Sequence, residues 1–122
     1  MRALRTADGG QAFAEMAIIA PFLILLIAGL VEVGRFANFS ILVSNAARAG
    51  VQYGAQNLAT AQDRAGMQNA ATADAQNAGG ISANAGYYCK CANGATSSCQ
   101  PTDCATNHRI VYVQVDTTGV YQ

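Results

Sequence analysis

Gly10-Gln11-Ala12-Phe13-Ala14-Glu15 runs directly into an uncharged apolar stretch, MAIIAPFLILLIAGLV over residues 16–31, and the reading of that junction decides the fold. The stretch is slightly shorter than the roughly 20 residues that cross a bilayer. Extension through Phe13 on one side and residues 33–39 on the other makes the length sufficient, with Glu15, Glu32 and Arg35 near the two interfaces. Its hydrophobicity runs all round the helix, so lipid or other such helices are expected on every side. Glu15 is out of place there. A charge at the bilayer centre costs roughly 2.5–3.5 kcal/mol on insertion scales, so an ionisable residue in such a segment marks a functional site and needs a named partner. Pro21, inside the stretch, removes one backbone donor and frees the carbonyl of Ala17, which predicts a helix kink or a local loosening.

Upstream, Arg2 and Arg5 precede the apolar segment, and Asp8 is the acid ahead of Glu15. That bias holds the leader on the cytoplasmic side. An ordinary secretory signal carries its cleavage site after the apolar core. Here the small pair Gly9-Gly10 stands before the core, so a cut between Gly10 and Gln11 leaves the helix on the mature chain. The product of such a cut is anchored and not secreted.

A glycine before the cut and a glutamate fifth in the mature chain resemble the type IV prepilin signal. Glu15 is fifth counted from Gln11. Further along, Pro21-Phe-Leu-Ile-Leu-Leu, Gly29-Leu-Val-Glu32-Val-Gly34-Arg35 and Ala46-Ala-Arg48-Ala-Gly50-Val-Gln-Tyr53 make the resemblance narrower. Together these look like the TadE-like family of pilin-like proteins of tight-adherence (Tad) systems. Met16 departs from the phenylalanine that many members carry after the glutamate. The resemblance ends near residue 56, since the family is variable beyond it. It implies cleavage after Gly10 by a prepilin peptidase, and a pairing of Glu15 with the new amine of Gln11 in a neighbouring subunit. Two opposite charges offset each other's burial in a low dielectric, so this is a physically sound partner.

From residue 38 to 56 the helix is expected to continue with an amphipathic pattern, as Phe39, Leu42, Val43, Ala46, Ala47, Gly50 and Tyr53 recur at three- and four-residue spacing. Ala46, Gly50 and Gly54 form a small-residue face that would let another helix approach closely, and subunit packing is its functional reading. Glu32 and Arg35, three apart, can pair along the helix or with a neighbour. Thr60-Ala-Gln-Asp63 resembles an N-cap. It predicts a break and a second helix over residues 61–77, with one kinked helix as the alternative, and Gly79-Gly80 ends it.

Beyond the glycines the composition shifts. Tyr87-Tyr-Cys89-Lys-Cys91 alternates like a strand, Asn93-Gly94 signals a turn, and Ile110-Val-Tyr-Val-Gln-Val115 is the clearest strand. A two-stranded sheet is marginal by itself. It must lean on the helix, gain a third strand from residues 118–121, or be completed by another subunit. Cys89, Cys91, Cys99 and Cys104 fall where the topology is non-cytoplasmic, and an even number there reads as two disulfides. Cys89 and Cys91 are too close in sequence to bond, which leaves 89–99 with 91–104, or 89–104 with 91–99.

Other chemistry is poorly supported. Net charge is zero, without a basic cluster, which sets nucleic acid aside. His108, beside Cys104 and Asp103, makes no catalytic constellation, so no enzyme is expected. The four cysteines and His108 lack paired C-x₂-C spacing, so neither a zinc site nor any cofactor is expected, although a cytoplasmic head would favour zinc. The expected fold class is α+β: a leader over 1–10, a hydrophobic helix over 11–56, a helical stalk over 57–79 and a disulfide-stapled antiparallel head over 80–122. The expected function is a pilin-like subunit in the inner membrane. Its expected partners are other pilin-like subunits in a homo- or hetero-oligomeric filament, a prepilin peptidase, and the membrane before assembly. The alternatives are a major subunit of an extracellular filament and a non-assembling anchored protein, the latter with a Cys-based metal site.

Overall fold

A computed structural model describes residues 8–104 and 108–122 and has an α+β fold in two compact units, 1–37 and 38–122. Arg2 and Arg5 of the leader lie outside the described residues.

In the first unit the chain is helical from Asp8, as part of α1 (Asp8–Gly54). Residues 10–37 are rich in Ala, Leu and Ile, and helix formation satisfies nearly all of their backbone groups internally, which an apolar surrounding demands. The helix runs through Pro21, whose missing N–H leaves the Ala17 carbonyl without its i+4 donor. Phe13, Phe22 and Leu25 are 81%, 70% and 70% exposed. At 1.5 Å per residue, positions 8–37 cover about 45 Å, more than the ~30 Å hydrocarbon core of a bilayer.

The second unit begins with residues 38–54 of α1, followed by α2 (Leu58–Gln62), α3 (Arg64–Asp74) and an antiparallel sheet of β1 (Ile81–Cys91), β2 (Thr96–Ser97) and β3 (Arg109–Gly119) in the order β2-β1-β3. The amphipathic reading of residues 39–53 matches the burial: Ala46 and Gly50 are buried, and Phe39, Leu42, Val43, Ala47 and Tyr53 are half-buried. The chain does break after α1, but the cap is Asn57 and not Thr60. Asn57 Oδ1 accepts from the Ala59 and Thr60 N–H groups at 2.9 and 3.0 Å, while Thr60 Oγ1 accepts from the Asn57 N–H at 3.0 Å. This is a capping box with Thr60 as its third residue.

Instead of one helix over 61–77 there are two. Asp63, in a non-helical conformation, interrupts the run and caps α3 by accepting from the Gly66 N–H at 2.9 Å. Its other oxygen accepts from the Tyr53 hydroxyl at 2.9 Å, which ties the start of α3 to the end of α1. Helix α3 stops at Asp74, and Gly80, at φ +82°, supplies the left-handed residue that leads into β1.

Met67, Ala71, Ala85 and Val115 are the buried centre, with Val51, Tyr53, Ala83 and Val113 packed against it. A Cβ on Gly50 would lie 2.8 Å from the Met67 carbonyl oxygen, and one on Gly54 would lie 2.5 Å from Met67 Sδ. The small-residue face expected to receive a neighbouring subunit is therefore filled by the chain's own Met67, Val113 and Val115. Close packing onto a small-residue helix face is the right physics, but the partner lies within the chain.

Both long strands extend further than expected, to 81–91 and 109–119, in a continuous register from Ile81↔Gly119 to Cys91↔Arg109. Residues 81–86 are mostly small, so their strand propensity is weak, and cross-strand pairing decides their state. The third strand is β2, paired through Cys89↔Ser97 and Lys90↔Thr96. A third strand over 118–121, one of the three ways the pair could be supported, does not form; Thr118 and Gly119 prolong β3 instead. Of the two open pairings, the structure has Cys89–Cys99 and Cys91–Cys104.

Candidate functional site

The first unit presents its apolar side chains on all sides, and the polar residues at its start sit one helical turn apart. Gln11 Nε2 donates to Glu15 Oε1 at 3.3 Å, and both side chains are exposed. The glutamate thus rests on a neutral amide of its own chain. Such a link is weaker than a charge-assisted one. Gly10 is also exposed, and nothing lies within 4 Å of where its Cβ would be.

At the other end of the apolar stretch Arg35 Nη1 lies 3.4 Å from Glu32 Oε2, with both side chains more than half exposed. An exposed pair at this spacing contributes only about 0.2–0.5 kcal/mol. Its use is positional: it marks where the uncharged segment stops. Helix α1 is long and apolar enough to cross a membrane, with a mean hydropathy of 2.6 over its most apolar window.

In the head, β1 and β2 hold the disulfide-bonded loop. Residues 97–103 wrap round one carboxylate, Asp103. Its Oδ2 accepts from Ser97 Oγ at 3.0 Å, Ser98 Oγ at 2.7 Å, the Ser98 N–H at 2.6 Å and the Gln100 N–H at 3.4 Å. Hydrogen bonds from the Ser98 and Ser97 hydroxyls, aided by the two backbone donors, hold its carboxyl below the usual aspartate value. Asp63 is lowered likewise, chiefly by the Gly66 N–H and then by Tyr53. The Arg109 guanidinium donates to the Cys99 carbonyl, and Cys99 itself has φ 71°, the left-handed region unusual for a side-chain-bearing residue. This loop is built from local polar bonds, since it has almost no apolar core.

All four sulfurs are in disulfides, and among the described residues no group of three or more His, Cys, Asp or Glu is placed to hold a metal. His108 is exposed. Sequence reasoning missed Asp103 as a loop centre, although the turn-forming residues Ser97, Ser98, Pro101 and Asp103 were its signal. It also missed the Tyr53–Asp63 link, because residues ten apart on different helices share no periodic pattern.

The chain thus pairs an exposed apolar helix, of a length and composition able to cross a membrane, in one unit with a small disulfide-stapled α+β head in the other. Residues 10–52, which lie within α1, match the family model described as TadE-like protein. That family is associated with Tad pili and is structural and pseudopilin-like. No curated protein and no solved structure matches the chain.

Proposed function

We propose that the chain is a pilin-like structural subunit, held in the inner membrane by its N-terminal helix and assembling into, or priming, a Tad or type IV-like pilus. One observation carries this: an apolar helix left uncovered in the first unit begins with Gly10, Gln11 and Glu15 inside a TadE-like match. In this reading a prepilin peptidase removes residues 1–10. The amine created on Gln11 then replaces the neutral amide of the Gln11 side chain as partner of Glu15, now between neighbouring subunits. Subunit addition moves the apolar helix from lipid into a bundle of like helices, and the charge pair fixes register. Glu32 and Arg35 mark the outer limit of the bundle. The head faces away from the cytoplasm, where disulfides persist, and carries any adhesive contact.

The test is the N-terminal sequence and the intact, non-reduced mass of the native protein, taken from membranes and from sheared surface material. A start at Gln11 in the sheared fraction, two hydrogens light for each of the two disulfides, is expected. A start at Met1, confined to membranes, overturns the reading in favour of a non-assembling anchored protein. Glu15→Ala is expected to leave insertion and cleavage intact and to reduce assembly at least tenfold. Breaking one partner of a buried pair costs about 3–5 kcal/mol. Normal incorporation of that variant refutes the pairing.

A further inference from the structure

The outward face of the sheet carries a feature that neither anchoring nor assembly uses. Three successive cross-strand pairs lie on it: Asn84↔Asp116, Gly86↔Gln114 and Tyr88↔Tyr112. The tyrosine rings are stacked, with centroids 5.0 Å apart and planes within 7°. In the middle pair a side chain is missing, and nothing lies within 4 Å of where a Cβ of Gly86 would be. The result is an open depression of about 240 Å³ floored by Gly86, walled by Tyr88 at one end and by Asn84 and Asp116 at the other, with Gln114 alongside. At about 3.4 Å per residue the two end pairs stand about 14 Å apart, which leaves room between them for one six-membered ring and its substituents.

We infer that this depression is a binding site for a pyranose residue of a glycan. The chemistry is that of a sugar, which has both apolar C–H faces and a rim of hydroxyls. Tyr88, held by its stack on Tyr112 and by the Lys90 ammonium 6.0 Å from its ring centroid, offers a rigid apolar side chain with few rotatable bonds to order on binding. Asn84, Gln114 and Asp116 offer planar groups that donate to and accept from adjacent hydroxyls. Gln114 is already oriented, since its Nε2 donates to both Asp116 oxygens at 3.2 and 3.0 Å. That leaves its carbonyl to accept from a ligand. The volume is below the roughly 300–1,000 Å³ of drug-sized pockets, which fits one ring and not a larger ligand. A protein partner fits less well, because charged groups are depleted from the cores of protein interfaces, and here Asp116 is part of the wall.

The inference stands apart from the assembly reading and is tested without filaments. The full chain in phosphocholine micelles, free of sugar headgroups, is titrated with methyl glycosides of glucose, galactose, mannose and N-acetylglucosamine. Binding is read by saturation-transfer NMR and by shifts of the Tyr88 and Gly86 amides. At least one glycoside is expected to receive saturation and to shift those two amides. Gly86→Val, which adds a strand-favouring side chain where space is open, is expected to keep the far-UV spectrum and to weaken that binding at least tenfold. Absence of transfer from all four glycosides overturns the site, as does equal binding by Gly86→Val or shifts confined to other residues. Concentration-dependent broadening of the same amides without sugar, marking a second copy as the occupant, also overturns it.

Discussion

Residues 8–37 are two thirds apolar, 20 of 30, and the head of residues 38–122 under half, 39 of 85, and the two put their apolar residues to opposite uses. In the first unit Phe13, Ile18, Phe22 and Leu25 are all more than two thirds exposed, so the helix is stable only where its surroundings are apolar. In the head the side chains that matter are small: Ala46, Ala61, Ala71, Ala75 and Ala85 are buried, and Met67 is the one large residue buried completely among the described residues. A core of alanines removes little apolar area from water, at roughly 25 cal/mol per Å². The head makes up the difference with two disulfides, helix caps and the Asp103 loop. Stability in the first region is thus a property of solvent, and in the second a property of covalent and polar cross-links.

That contrast can be broken at four places, taken from the largest effect to the smallest. Leu26→Arg places a charge within the uncovered apolar stretch and is expected to cost about 3–4 kcal/mol of membrane insertion. Carbonate extraction should then release much of the protein, while the thermal midpoint of the head stays unchanged; a coupled loss of both would show that the two units are not separately stabilised. Conversely, Cys91→Ser with Cys104→Ser should leave extraction unaffected and destabilise the head by about 2–3 kcal/mol, as its loop is short. Denaturant unfolding of the oxidised and variant proteins measures it.

Gly54→Val drives a side chain into Met67 Sδ, 2.5 Å from the new Cβ. Overpacking of this kind costs about 1–3 kcal/mol. If the position faced a neighbouring subunit instead, monomer unfolding would be untouched and only assembly would suffer. The smallest effect is a dependence on pH. The Asp103 carboxyl is depressed in the folded head, so the unfolded chain takes up the proton first as pH falls. Its stabilisation is complete above the ordinary aspartate value of about 4 and is lost as pH drops through the lower folded value. The thermal midpoint of Asp103→Asn should lack this component of the acid decline, and an identical decline in both proteins refutes the role given to this carboxylate.

Much of this architecture was legible before any coordinates. The apolar run, the amphipathic phase of residues 39–53, the strand cores at 87–91 and 110–115 and the Asn93-Gly94 turn each follow from local periodicity or turn chemistry, and they form as read. The errors have a common origin. Asn57 takes the place of Thr60 as cap because α1 ends at Gly54, which leaves Asn57 extended and free to accept from the Ala59 and Thr60 N–H groups. Residues 81–86 join β1 because β3 runs alongside them, although Ala and Gly are weak strand formers. Choosing the partner of Cys89 required knowing that β2 lies beside β1, which brings residues 97–99 to Cys89.

The sequence by itself determined an apolar helix with a glutamate near its start, a TadE-like segment, a helical passage beyond it and a cysteine-bearing strand region. Those are properties of residues close in the chain, where periodicity, charge and turn chemistry act directly. Only the tertiary structure decided that Gly50 and Gly54 are covered by Met67, that the disulfides run 89–99 and 91–104, and that Tyr88, Gly86 and Gln114 share one outward face. Each of these depends on which distant segments meet. That outcome is set by register and shape across the head, and no local pattern carries it.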